Sequence, residues 1–151
     1  MSRRDRITMT EAEIDGFIAA RRVVVLATVK PGGRPHLVPM WFVPDGPRIE
    51  VWSFGKSQKA VNLRRDPRAT LLLEAGESYD QLRGVSLECS VEVLDDPAEV
   101  RRIGAGLARR YAGAREREDP EELRKRAAKR VGLRFTPTRT ISWAHRELAD
   151  G

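Results

Sequence analysis

Residues 85–93 read VSLECSVEV, in which Val85, Leu87, Cys89, Val91 and Val93 alternate without exception with Ser86, Glu88, Ser90 and Glu92. A period of two marks a strand with one face on a core and the other in water. Upstream, the apolar stretches Val23 to Val29, Leu37 to Val43, Ile49 to Phe54 and Ala69 to Glu74 read as further strands. Pro31-Gly32-Gly33 turns the first into the second, and Asp45-Gly46-Pro47 turns the second into the third. Downstream, Val131, Leu133 and Phe135 alternate into a last strand that continues toward Trp143.

The helices announce themselves by their caps. Thr10 with Glu13 makes a capping box ahead of Ile14, Phe17 and Ile18, predicting a helix over 10–21. Ser57 caps a short helix through Leu63 that stops before Asp66-Pro67, because the residue before proline disfavours helical geometry. Asp96-Pro97 with Glu99 and Asp119-Pro120 with Glu122 start two more, ending near Gly113 and Gly132. The sum is about six strands and four helices in one domain. Its parts are the N-terminal helix at 10–21, main barrel strands over 23–94, a helical segment at 97–130 and a final strand at 131–143. Strands that meander first and helices that group later predict an α+β fold, an antiparallel barrel with peripheral helices, and not the alternating units of a Rossmann sheet.

Composition narrows the function classes. With 151 residues, 40% hydrophobic and 33% charged, the chain reads as globular. Its longest apolar run, Val23 to Val29, falls far short of the ~20 residues of a membrane span. The basic N-terminus has no apolar stretch behind it, and Cys89, as the single cysteine, forms no internal disulfide and is too little for a structural zinc site. A cytoplasmic protein is expected. The net charge of +6 lies wholly within Arg101 to Arg130, where eleven basic residues face five acidic ones. There Glu121 and Lys125, and Glu122 and Arg126, stand at the i,i+4 spacing of ion pairs on a solvated helix, which is favoured over a nucleic-acid surface.

Gly55-Lys56-Ser57 looks like the tail of a phosphate-binding Walker loop, but Glu50 stands where that loop needs glycine. A nucleotide-hydrolysing site is rejected, while the local physics remains. A strand ends at Phe54 and a helix begins at Ser57, which leaves unpaired backbone N–H groups at a positive dipole end. Ser57 adds a hydroxyl. Lys56 and Lys59, two of only five lysines, put cations where they disfavour the helix unless an anion is bound. Trp41, Trp52 and Trp143 fall on three strands, and for any one of them core packing is the favoured reading. His36 and His145 have no acidic or thiol neighbours in a pattern that makes a metal site or a catalytic triad. Cys89, on the apolar face of its strand, reads as an inert core thiol.

A set of motifs then carries a resemblance over nearly the whole chain: LATV at 26–29, GRPHLVPMWF at 33–42, KSQKAVNLRRDPR at 56–68, SYDQLRGVSLE at 78–88, and KRVGLRF with RTISWAHR near the end. Together they resemble the split-barrel flavin-binding superfamily of the pyridoxamine 5'-phosphate oxidases, and within it the actinobacterial deazaflavin branch that uses coenzyme F-420. The resemblance implies a homodimer with a cofactor in each groove between the barrels. It places the cofactor phosphate at the Ser57 to Asn62 turn, with Lys59 as the phosphate-binding lysine and Lys56, Ser57, Gln58 and Asn62 around it. The tricyclic ring would lie along Val38, Pro39, Met40 and Trp41, touching backbone groups there and around Trp52 and Ser53. Tyr79, Arg83 and Trp143 would close the groove, from the second chain, and Arg83 would stabilise negative charge on the acceptor.

The oxidase branch carries basic residues where this chain has His36, Trp41 and Gln58. That departure argues against a vitamin oxidase and removes several usual partners of the FMN phosphate, which is compatible with a deazaflavin and with no redox cofactor at all. The implied activity is hydride transfer from reduced coenzyme F-420 to an unsaturated or quinone-like small molecule. The alternatives are an FMN-dependent reductase of the same fold, or a non-enzymatic flavin-, haem- or RNA-binding protein.

Overall fold

Two hairpins set up the sheet. In the computed structural model, which describes residues 2–111 and 119–148, the chain reverses between β1 (Val24–Val29) and β2 (Pro35–Met40). Gly33 takes φ 88° there, a conformation that a Cβ would strain. β3 (Val43–Asp45) and β4 (Arg48–Phe54) pair around Gly46-Pro47, with Gly46 at φ 58° as primed hairpin turns require. β5 (Arg68–Ala75), β6 (Arg83–Leu94) and β7 (Arg130–Ala144) complete an antiparallel sheet in the order β2-β1-β5-β6-β7-β4-β3.

β2 and β3 are the two edges of this sheet, yet only Trp41 and Phe42 lie between them in the chain. Three extended residue steps span at most about 11 Å, so the edges must come together and the sheet rolls into a barrel split along that seam. Here the structure corrects the expected single strand Leu37 to Val43. The strand breaks as it passes from one edge to the other, which raises the strand count to seven among the described residues. Phe42 is fully buried at the break, while Trp41 is 60% exposed.

The barrel interior is filled by alternate residues, among them Leu26, Ile49, Leu71, Val85, Leu133 and Phe135. The expected alternation over 85–93 holds: Val85, Leu87, Cys89 and Val91 are buried and Glu88, Ser90 and Glu92 exposed. The ladder between β6 and β7 slips at Glu88/Cys89, where Cys89 pairs with Pro137 and Thr138 is left over as a bulge. α2 (Glu11–Ala20), α3 (Gln58–Arg65), α4 (Pro97–Tyr111) and α5 (Pro120–Ala127) follow the predicted starts. The expected end near Gly113 lies outside the described residues. α5 is shorter than expected, because Arg130 to Gly132 pair with β4 instead of extending the helix. A helix that the apolar period did not announce, α1 (Arg3–Ile7), has no buried residue and starts from a Ser2–Asp5 capping box.

Candidate functional site

α3 joins two strands through a chain of polar contacts. The Ser57 hydroxyl accepts from the Ala60 N–H at 3.3 Å and lies 2.9 Å from the Ser53 hydroxyl on β4. Asn62 is fully buried; its amide donates to the Thr28 hydroxyl on β1 at 3.0 Å and accepts from Gln58 at 2.7 Å. Arg65 donates to the Val29 carbonyl at the end of the same strand. With the helix start held this way, the backbone N–H groups of Gln58 and Lys59 have no partner among the described residues and face the positive dipole end.

Lys59 is half-buried and has no ion pair among the described residues, and its burial pushes the ammonium pKa below the usual 10.5. A desolvated cation without a counter-charge is unfavourable, and a bound anion would offset that cost. Lys56 is exposed beside it. On β2, across the ladder from Thr28, His36 has a buried Nδ1 with no partner among the described residues. The unpaired N–H groups of Gln58 and Lys59 and the Lys59 ammonium therefore collect at the start of α3.

The seam supplies a second element of the site. β3 covers only Arg48 to Glu50 of β4, so among the described residues no strand pairs with Val51 to Phe54 on that side, and none pairs with the outer edge of β2. Pro39, which lacks an N–H, suits such an edge. Val38 and Met40 lean on the core while Pro39 and Trp41 face outward. Trp41 stacks on Tyr111 of α4, with centroids 4.5 Å apart and planes within 5°. The Tyr111 hydroxyl accepts from the Phe42 N–H at 3.0 Å, and lies 2.9 Å from the Arg22 carbonyl, to which it can donate. Sequence reasoning missed Tyr111, since no local pattern distinguishes a tyrosine in the last turn of a helix.

Alternation along β4 turns Ser53 inward and Trp52 outward, where the indole packs with Leu94, Ile103 and Leu107 beneath α4. Only the backbone of Trp52 belongs to the free edge. Tyr79, Arg83 and Trp143 gather around the start of β6 and the end of β7. Tyr79 lies against His145 at 4.7 Å between ring centroids, Gly84 pairs across the ladder with Trp143, and Arg83 sits over Phe17 of α2. Within one chain, among the described residues, these three share no hydrogen bond, ion pair or ring contact with Ser57 or Lys59.

Several chemistries lose their candidates. Burial pushes the Cys89 thiol up to about 12, so it is not a nucleophile at neutral pH. Among the described residues no three His, Cys, Asp or Glu side chains cluster as metal ligands, and no helix is long and apolar enough to cross a membrane. Much of the basic segment is occupied inside the fold. Arg102 binds Glu50 at 2.7 Å, Arg110 donates to the Ala19 and Arg21 carbonyls, and Arg126 and Arg130 lie over Trp52. Lys125 pairs with Glu122 at 3.6 Å, one residue nearer in sequence than the expected Glu121.

A family model for pyridoxamine 5'-phosphate oxidase matches residues 10–144. Among solved structures, the conserved hypothetical protein Rv2991 of Mycobacterium tuberculosis superposes with a TM-score of 0.90 at 44% identity, over 99% of this chain and 93% of that one. A protein described as an F-420 reductase superposes at 0.66 with 24% identity, over 83% of this chain and 94% of that one. HutZ, a haem storage protein of Vibrio cholerae, does so at 0.69 with 18% identity, over 90% and 97%. The latter two likenesses speak for the fold alone.

Proposed function

The chain belongs to the pyridoxamine 5'-phosphate oxidase family, and from that premise we propose that it is an oxidoreductase, a homodimer that binds coenzyme F-420 and reduces an unsaturated or quinone-like organic acceptor. The observation that carries this reading is the unpaired, half-buried ammonium of Lys59 beside the free N–H groups at the start of α3. A phosphate there would gain a charge-assisted hydrogen bond and relieve a cation at the wrong end of a helix dipole.

Ser57, Gln58 and Lys59 would hold that phosphate, with Lys56 adding charge and Asn62 fixing Gln58 from behind. The free backbone edges, Val38 to Trp41 on β2 and Trp52 to Ser53 on β4, would hydrogen-bond the polar rim of a planar ring. The outward indole of Trp41, held flat by Tyr111, would keep water from one side of it. Reduced deazaflavin bound in this groove supplies the hydride, and the protein supplies orientation and exclusion of water. Tyr79 and Trp143 would reach the groove only from the second chain.

Charge favours F-420 over FMN. The FMN phosphate is a monoester, close to a dianion at neutral pH, whereas the F-420 phosphate is a diester with a single charge. Trp41 is stacked on Tyr111 and Gln58 is bonded to Asn62, so neither position adds a cation to Lys59 and the exposed Lys56, and the single charge of a diester needs none. A protein described as an F-420 reductase shares the fold, which makes that cofactor the first to test.

The experiment is a fluorescence titration of the purified protein with each cofactor. F-420 is expected to bind more tightly than FMN. Lys59→Ala should weaken F-420 binding about ten- to hundredfold, the loss of one charge-assisted hydrogen bond worth roughly 1.5 to 3 kcal/mol. Stability without ligand should hold or rise slightly, because the variant removes a desolvated cation. Lys125→Ala on α5 is the control and should bind as wild type does. Equal F-420 affinity in Lys59→Ala and wild type at low salt would refute the phosphate assignment.

A further inference from the structure

α2 turns Glu13, Gly16 and Phe17 toward a cavity of about 190 Å³ that Arg21, Arg83 and Arg146 also line. A second cavity, of about 430 Å³, runs past Gly76 and Asp80 and shares Arg83 and Arg146 with the first. The guanidinium groups of Arg21 and Arg83 lie 5.2 and 5.4 Å from the centroid of the same Phe17 ring. Neither has an ion pair among the described residues, and the Nε of Arg21 is buried with no hydrogen-bond partner. Two like charges held around one ring repel, and the ring face compensates only part of that. A negative group between them would satisfy both.

An independent observation comes from Gly16. Glycine inside a helix costs about 0.5 to 1 kcal/mol relative to alanine. Packing does not demand it here, because a Cβ at Gly16 would meet nothing within 4 Å. Gly16 lines the cavity, so a large side chain there would take up part of its volume.

We propose that this cavity binds the oxyanion of a small organic molecule, a carboxylate or phosphate gripped by Arg21 and Arg83 with Arg146 at the junction of the two cavities. The adjoining space suits a ligand larger than a bare ion. The site stands on α2, β6 and the end of β7 and not on α3; Arg83, which the resemblance also brings to the groove of a second chain, is the residue it shares with the cofactor reading, so the test is made without cofactor.

Calorimetry on the full chain without cofactor tests it, with succinate and inorganic phosphate as probes. A Lys59→Ala background keeps phosphate bound at α3 from being counted. At least one probe should bind at low salt, and the stronger of the two identifies the oxyanion class. Arg83→Gln should weaken that binding about tenfold or more. Gly16→Leu, which fills the cavity from a helix position open to a larger side chain, should abolish it while the unfolding temperature holds or rises. Failure of both probes to bind at about 10 mM, the range of the weakest specific affinities, overturns the proposal. So does unchanged binding in either variant, and Gly16→Leu keeps the test valid should Arg83→Gln fold poorly.

Discussion

Glu50 is a carboxylate with no exposed surface, set in β4 between α4 and β7. Burial alone would raise its pKa, but bonds from Arg102 at 2.7 and 3.0 Å and from Arg134 at 3.0 Å outweigh that and hold it below the usual 4.5. A folded-state pKa below the unfolded one means that the native state binds fewer protons in acid. The stabilisation is complete above the unfolded value near 4.5 and is lost as pH falls through the folded one. Glu50→Gln should therefore flatten the acid limb of a plot of melting temperature against pH. An acid limb as steep as that of wild type would show that this carboxylate does not set it. Glu50→Ala removes the buried partner of Arg102 and Arg134, which keep Glu99 at 2.9 and 3.2 Å, and should cost about 1 to 3 kcal/mol in urea unfolding. The sequence excluded a Walker loop because Glu50 is not glycine, but its role as the buried anchor of α4 needed the partners that folding brings.

At the scale of elements, two helical glycines make opposite predictions. Gly104 of α4 lies so close to Trp52 that a Cβ would stand 2.3 Å from the indole, whereas a Cβ at Gly16 of α2 meets open space. Gly104→Ala should destabilise by about 1 to 3 kcal/mol, since the ring is pinned between β4 and α4 and cannot swing aside. Gly16→Ala should stabilise by up to about 1 kcal/mol, from helix propensity alone. Chemical denaturation of both variants checks the pair, and equal signs would contradict the packing of α4 on Trp52. The ends of α2 and α4 are also bound to each other: Arg110 donates to the Ala19 and Arg21 carbonyls, and Arg22 to the Arg110 carbonyl at 2.7 Å. Each helix thus caps the last turn of the other with a cation, at the favourable end of its dipole.

Across the whole molecule, the outer face of β1 and β2, continued by Leu72 of β5, is apolar where water would be expected. Val25 pairs with both Pro39 and Leu72, Ala27 pairs with Leu37, and Val23 and Trp41 extend the patch. Leu37 is 65% exposed, and polar residues of β6 such as Glu88 and Ser90 border the face. A continuous apolar face with a polar rim is what a partner surface requires, and the proposed homodimer would bury it. Sedimentation at micromolar concentration should show a dimer. Leu37→Glu, which adds a charge to the middle of the face without touching the core, should give a folded monomer with weakened cofactor binding. A dimer that survives Leu37→Glu would place the interface elsewhere.

The sequence by itself determined what depends on neighbours a few residues apart. The alternation of Val85 to Val93, the Ser57 cap, the stop at Asp66-Pro67 and the burial of Cys89 could all be read there, because backbone geometry repeats every two or 3.6 residues. From those elements followed the antiparallel barrel, and from the turn at Ser57 the candidate anion site. Tertiary structure decided the rest. The break at Trp41-Phe42 exists because the two sheet edges meet only when the barrel closes, and the outward indole of Trp52 is covered only because α4 comes to lie over it. The stack of Trp41 on Tyr111 and the convergence of Arg21 and Arg83 on Phe17 join residues far apart in the chain. No local period encodes such meetings, which arise only when closure of the sheet has fixed the path of the whole chain.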